Sequence, residues 1–150
     1  MSLMAVLDEA IELEDRIRSC YELLSKSSED GAGAELRELA REEKSHADVL
    51  KTGKGFVIRT PDLFGQETVS ISSIRLGLKF VSALEDNLKN HKTGFREGLI
   101  RLHRLEKKFE RVHMNTAVEF KDYSLKKLFE ALARADAEHR KRLERLIARL

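Results

Sequence analysis

Tryptophan is absent from this 150-residue chain, proline and cysteine occur once each, and aromatic residues make up only 6% of it. So few aromatics and turn formers argue against an all-β domain built of many short strands. A single thiol, Cys20, excludes an internal disulfide and a thiolate metal site, and fits a reducing compartment. No run approaches the roughly 18 consecutive apolar residues that would cross a bilayer, and the N-terminus lacks a signal-peptide core, so a cytoplasmic protein without membrane contact is expected. An excess of one charge is missing too: 28 Lys+Arg face 26 Asp+Glu, interspersed, for a formal net charge of +2. That balance leaves no electrostatic footprint for nucleic acid. What is present is 41% hydrophobic and 36% charged residues, mostly Leu, Glu, Arg, Lys and Ala, the usage of long amphipathic helices. The length suits one domain, residues 1–150, around one core.

Placing residues about 100° apart around a helix axis gives four amphipathic segments. Helix A, about 3–27, has Leu3, Val6, Leu7, Ala10, Leu13, Ile17 and Leu24 on one face and ends at the turn signal Ser27-Ser28-Glu29-Asp30-Gly31. Helix B, about 32–51, carries Leu36, Leu39, Val49 and Leu50 and fades at Gly53 and Gly55. Helix C, about 95–119, presents Leu99, Leu102, Leu105, Phe109 and Val112. After a break at Lys121-Asp122, helix D, about 122–150, presents Leu125, Phe129, Leu132, Leu143 and Leu146. Residues 52–94 hold the only proline, Pro61, and five glycines including Gly65. Ile71, Ile74, Leu78, Val81 and Leu88 recur there at helical spacing, which predicts a short helix inside a long crossover. The expected fold is all-α: a ferritin-like four-helix bundle of two antiparallel hairpins joined by that crossover.

Polar residues interrupt the apolar faces in a repeated way. Glu14 and Tyr21 stand about 40° and 20° from the centre of A's apolar arc, and Glu106 and His113 take the same positions on C. Glu43 and His46 lie about 40° and −20° from Leu39 on B, and Asp136 and His139 repeat this around Leu132 on D. Each acid also lies about 15 residues, roughly 22 Å, from its hairpin turn. Four carboxylates and two imidazoles therefore share one layer of the core. Burying four carboxylates without cations is very costly, whereas two metal ions would satisfy them, and this donor set suits iron or manganese. An acid three residues before a histidine places both on one helical face. Glu110, three before His113, stands at the edge of its arc and is expected at the rim.

These residues carry a resemblance. Glu14 with Tyr21 seven residues on, Arg-Glu-Glu43-Lys-Ser-His46, Leu-Glu106-Lys-Lys-Phe, Asp122, the run Leu-Lys-Lys-Leu-Phe-Glu-Ala-Leu-Ala and Asp136-Ala-Glu-His139 resemble the rubrerythrin family of ferritin-like di-iron proteins. The resemblance implies two iron ions, with manganese or zinc as alternatives, bridged by Glu43 and Asp136. It makes Glu14 and Glu106 terminal ligands, gives one ion each to His46 and His139, and has Tyr21 hydrogen-bonding beside them. Glu110 and His113 are additional candidates. Asp136 stands where the family usually has Glu, and His113 where a second tyrosine is common. The implied activity is reduction of hydrogen peroxide or dioxygen, or ferroxidase chemistry, in a homodimer. No Cys-x-x-Cys module follows, so an external electron-donor protein is implied. The alternative is a non-catalytic helical interaction protein whose polar layer sets register without metal. His91 and His103 are expected in solvent and Cys20 as a small buried hydrophobe.

Overall fold

The computed structural model describes residues 2–28, 31–64 and 72–150, and these are all-helical, with no strand among them. Glu29, Asp30, Gly65 and Ile71 lie outside the described residues. Six helices follow in order: α1 (Leu3–Lys26), α2 (Gly33–Arg59), α3 (Pro61–Phe64), α4 (Ser72–Lys89), α5 (Phe95–Glu119) and α6 (Tyr123–Ala148). None is long and apolar enough to cross a membrane.

Local chemistry sets the ends. The Ser2 hydroxyl accepts the Ala5 N–H at 3.2 Å at the start of α1, and Asp122 Oδ1 accepts the Leu125 N–H at 2.9 Å at the start of α6. Each cap satisfies a donor that a first helical turn leaves open. In the α1–α2 turn Gly31 adopts φ +75°, a left-handed conformation that glycine reaches without the Cβ penalty.

The second helix departs from expectation. It was expected to end near residue 51, yet it runs through Gly53 and Gly55 to Arg59. Two glycines weaken a helix by roughly 1 kcal/mol each, and tertiary contacts hold this one. Lys54 Nζ lies 2.5 Å from Asp8 of α1, Gly53 faces Leu128 of α6, and Val57 is buried.

α1 packs on α2, α5 on α6, and α4 on both α1 and α5. Cross-links give the directions. Arg75 with Glu9 and Glu85 with Arg16 run α4 parallel to α1. Tyr21 with Glu106, and Glu14 with His113, run α5 antiparallel to α1. Glu43 with His139, and Glu35 with Arg149, run α6 antiparallel to α2. α4 thus covers the seam between α1 and α5, where Gly77 lets it approach closely: a Cβ there would stand 3.3 Å from the Phe109 ring. Leu7, Leu13, Ile17, Leu24, Leu36, Leu39, Leu50, Leu99, Leu102, Phe109, Phe129 and Leu143 are fully buried. At about 1.5–3 kcal/mol for each buried large side chain, this core holds the four long helices around a polar layer.

Candidate metal centre

That layer is built from residues spaced three and four apart on the inward stripes: Ala10, Glu14, Ile17 and Tyr21 on α1, Leu39, Glu43 and His46 on α2, Leu102, Glu106, Phe109 and His113 on α5, and Leu132, Asp136, His139 and Leu143 on α6. The same 3.6-residue repeat that buries the leucines buries the acids. Glu14, Glu43, Glu106, His113 and Asp136 have no exposure and His139 only 2%. The His46 side chain keeps 21%, so the layer meets solvent along its α2 edge.

Two compact groups of donors form. The ligating atoms of Glu14, Glu43 and His46 lie within 4.8 Å of one another, as do those of Glu43, Glu106 and His139. Donors bound at about 2.1 Å on opposite sides of one ion stand about 4.2 Å apart, so both groups have the scale of a metal site. Glu43 belongs to both. Its Oε1 is 2.8 Å from His139 Nδ1, and its Oε2 is 3.5 Å from His46 Nδ1. The two imidazoles stack with centroids 5.7 Å apart. Tyr21 donates its hydroxyl to Glu106 Oε1 at 2.7 Å, and His139 Nδ1 stands 3.7 Å from the same oxygen.

Asp136 stands beside His113. It belongs to neither compact group among the described residues; its Oδ2 lies 2.5 Å from His113 Nδ1. An aspartate is one methylene shorter than the glutamate opposite, and besides His113 the Glu106 carboxyl lies within its hydrogen-bonding reach. Nε2 of His113 stands 3.4 Å from Glu14 Oε1. Glu110 is half-buried and pairs with Arg140 at 3.5 Å, away from the layer. His91 is exposed, His103 pairs with Glu144 at 2.9 Å, and Cys20 is buried. Sequence reasoning missed an outer pair: Glu42 Oε1 lies 3.9 Å from His139 Nε2, and Arg142 Nη1 donates to Glu42 Oε2 at 2.6 Å. The signal was available, since Glu42 adjoins Glu43 and Arg142 follows His139 by three.

The protein's own groups leave this layer unsatisfied. Both oxygens of Glu14, Glu43 Oε2, Glu106 Oε2, Asp136 Oδ1, His46 Nδ1 and His113 Nε2 are buried without a hydrogen-bond partner. Folded proteins leave few buried polar atoms unpaired, and seven such atoms in one layer are donors and acceptors that a cation could satisfy. The electrostatics agree. Burial, and then the Glu43 charge, hold the Glu14 carboxyl well above the usual carboxylate range. Burial, then Glu106, Glu14 and Glu43, do the same to Asp136, and burial raises Glu43. Burial opposes charge on His139, but the Glu106 and Glu43 carboxylates outweigh it and hold that imidazole up to about 11. On His113 burial prevails and its pKa falls. Carboxylates kept protonated by burial and by one another's charge would ionise beside a cation.

Compared with models of protein families, with curated proteins and with solved structures, the chain finds no match.

Proposed function

We propose that this chain is a dinuclear metalloprotein of ferritin-like topology, a rubrerythrin-type oxidoreductase whose two iron ions reduce hydrogen peroxide or dioxygen with electrons from a separate donor protein, or oxidise ferrous iron. The observation that carries the reading is Glu43, among the described residues the one carboxylate common to two overlapping Glu/Glu/His groups. A residue able to reach both positions is what a pair of ions a few ångströms apart needs. The run of α1 and α2 against antiparallel α5 and α6, with α4 laid along the seam, supports the ferritin-like topology.

The residues fit the group. Glu14, Glu43 and His46 would hold one ion, and Glu43, Glu106 and His139 the other; oxygen-rich sets with one imidazole each suit iron or manganese. Iron, when bound, supplies the two electrons and the Lewis acidity that peroxide reduction requires. The chain's part is preorganisation. Tyr21 holds Glu106 in place through its hydroxyl and keeps that proton, because burial and the Glu106 charge raise its pKa well above the tyrosine range. Glu42, held by Arg142, stands behind His139 and favours one orientation of that ring. The apolar shell of Leu39, Leu102, Phe109 and Leu132 limits water, while the exposed edge of His46 leaves an approach for molecules as small as peroxide.

Anaerobic addition of Fe(II) to metal-free protein, followed by hydrogen peroxide, tests this. Two ions bound per chain and their oxidation on addition of peroxide are expected; failure to bind iron would overturn the reading. The second reading, a register-setting polar layer without metal, draws on the pairs formed inside the layer: His113 with Asp136, His139 with Glu43 and Tyr21 with Glu106. Under it, H46L/H139L would keep or raise stability, and no metal would raise the melting temperature of the wild type.

A further inference from the structure

We propose that His113 is a third imidazole ligand of the centre, binding through Nε2 the ion held by Glu14, and that Asp136 orients this ring instead of bridging the ions. The proposal rests on the dinuclear reading above and adds a ligand to it.

Three observations carry it. His113 is fully buried, and its Nε2 has no hydrogen-bond partner. Its other nitrogen, Nδ1, lies 2.5 Å from Asp136 Oδ2; with that carboxyl ionised beside a cation, the ring proton belongs there and Nε2 is left as a lone pair. That nitrogen faces Glu14 Oε1 at 3.4 Å; His113 lies outside both compact donor groups among the described residues, so binding the ion would draw Nε2 toward it. The separation is long for a hydrogen bond, yet two donors at about 2.1 Å from one ion, 90–109° apart, stand about 3.0–3.4 Å from each other. A histidine that ligates a metal characteristically gives its other N–H to a carboxylate, which fixes the tautomer. Asp136 supplies that carboxylate.

The duplicated pattern of the chain points the same way. Tyr21, seven residues after Glu14, reaches across to Glu106; His113, seven after Glu106, reaches back to Glu14. The two crossings are equivalent in place and different in chemistry. A hydroxyl gives its proton to the acid, whereas an imidazole already engaged at Nδ1 has a lone pair to give to a metal. The two ions are therefore inequivalent. The Glu14 ion has His46 and His113, and the Glu106 ion has His139 with Tyr21 beside it.

Cobalt(II) is the probe. Stepwise anaerobic titration of metal-free wild type, H113Q, D136N and the double variant gives two affinities for each, with the visible ligand-field bands of each ion. X-ray absorption of the wild type loaded with two Co(II) counts imidazoles without any substitution, and circular dichroism checks that the variants fold. The proposal expects three imidazoles per pair of ions. It expects H113Q to weaken one affinity and shift one set of bands, D136N to weaken the same affinity by about 10–100-fold, and the double variant to match H113Q. Two imidazoles per pair, an H113Q variant with both affinities intact, or a D136N variant that weakens both ions and adds to H113Q would overturn it. A wild type that binds no Co(II) would overturn the dinuclear reading itself, a result distinct from these.

Discussion

Replacing Tyr21 with phenylalanine removes one oxygen and keeps the ring. That oxygen donates to Glu106 Oε1 at 2.7 Å, between two fully buried side chains. The edge-on packing of the ring against His139, with centroids 6.1 Å apart, survives the change, so the cost isolates the hydrogen bond. Besides Tyr21, the Glu106 carboxyl has His139 Nδ1 at 3.7 Å and the Asp136 carboxyl as neighbours, and neither takes the place of the lost hydroxyl. Losing a hydrogen bond to a charged acceptor costs about 1.5–3 kcal/mol. In a chain of this length each kcal/mol moves the melting temperature by about 2–4 °C, so metal-free Y21F is expected to melt roughly 3–12 °C below wild type. Urea unfolding of both metal-free proteins gives the free-energy difference independently. Saturating metal should narrow the gap, because an ion then satisfies Glu106 from its other side. A metal-free variant as stable as wild type would refute the reasoning, since the hydroxyl would then not be supporting a buried carboxylate.

Acidity should act on the metal-free protein in an unusual direction. Glu14 and Asp136 stay protonated in the fold well above the usual carboxylate range, through burial first and then the neighbouring acids. The unfolded chain ionises them near pH 4, so above that pH it binds fewer protons than the fold and these two groups make stability fall as pH rises. His139 adds to the decline: its pKa of about 11 in the fold gives stability that is full below the ordinary histidine value and is lost as pH rises through about 11. Urea midpoints of metal-free protein are expected to drop between about pH 5 and pH 7, and E14Q/D136N should flatten that drop. Two glycines should respond with opposite signs. A Cβ at Gly98 would stand 2.7 Å from Leu24 Cδ2 and 3.2 Å from Leu88 Cδ2, so G98A is expected to lose about 1–3 kcal/mol by overpacking. At Gly53 the nearest atom is Leu128 Cδ2 at 3.8 Å, so G53A should gain about 0.5–1 kcal/mol in thermal or urea unfolding.

The helices were legible in the sequence where apolar residues recur at one angle for many turns, as from Leu3 to Leu24 or from Leu125 to Leu146. The end of α2 was not, because Gly53 and Gly55 read locally as breakers while the forces that carry the helix to Arg59 come from Asp8 and Leu128, distant in sequence. The layer was legible through angle and depth together: the same arithmetic that placed the leucines placed Glu14, Glu43, Glu106 and Asp136 inward, and Glu110 at the rim. Angle fixes a face, however, and not a partner. It gave Asp136 and Glu43 equivalent positions, whereas in the structure Glu43 is common to two groups and Asp136 meets His113 and Glu106. The outer pair of Glu42 and Arg142 escaped notice because both residues look like ordinary surface charges until His139 is placed between their helices.

The central claim is that one buried carboxylate serves two ions, and metal stoichiometry in three proteins tests it most directly. Metal-free wild type, E43A and H46A would be loaded with Fe(II) under anaerobic conditions, desalted, and analysed for iron per folded chain. The account predicts two ions in the wild type, at least one in H46A, where the Glu43, Glu106 and His139 group is intact, and none retained in E43A, which breaks both groups. An E43A protein that still holds one or two ions would contradict it.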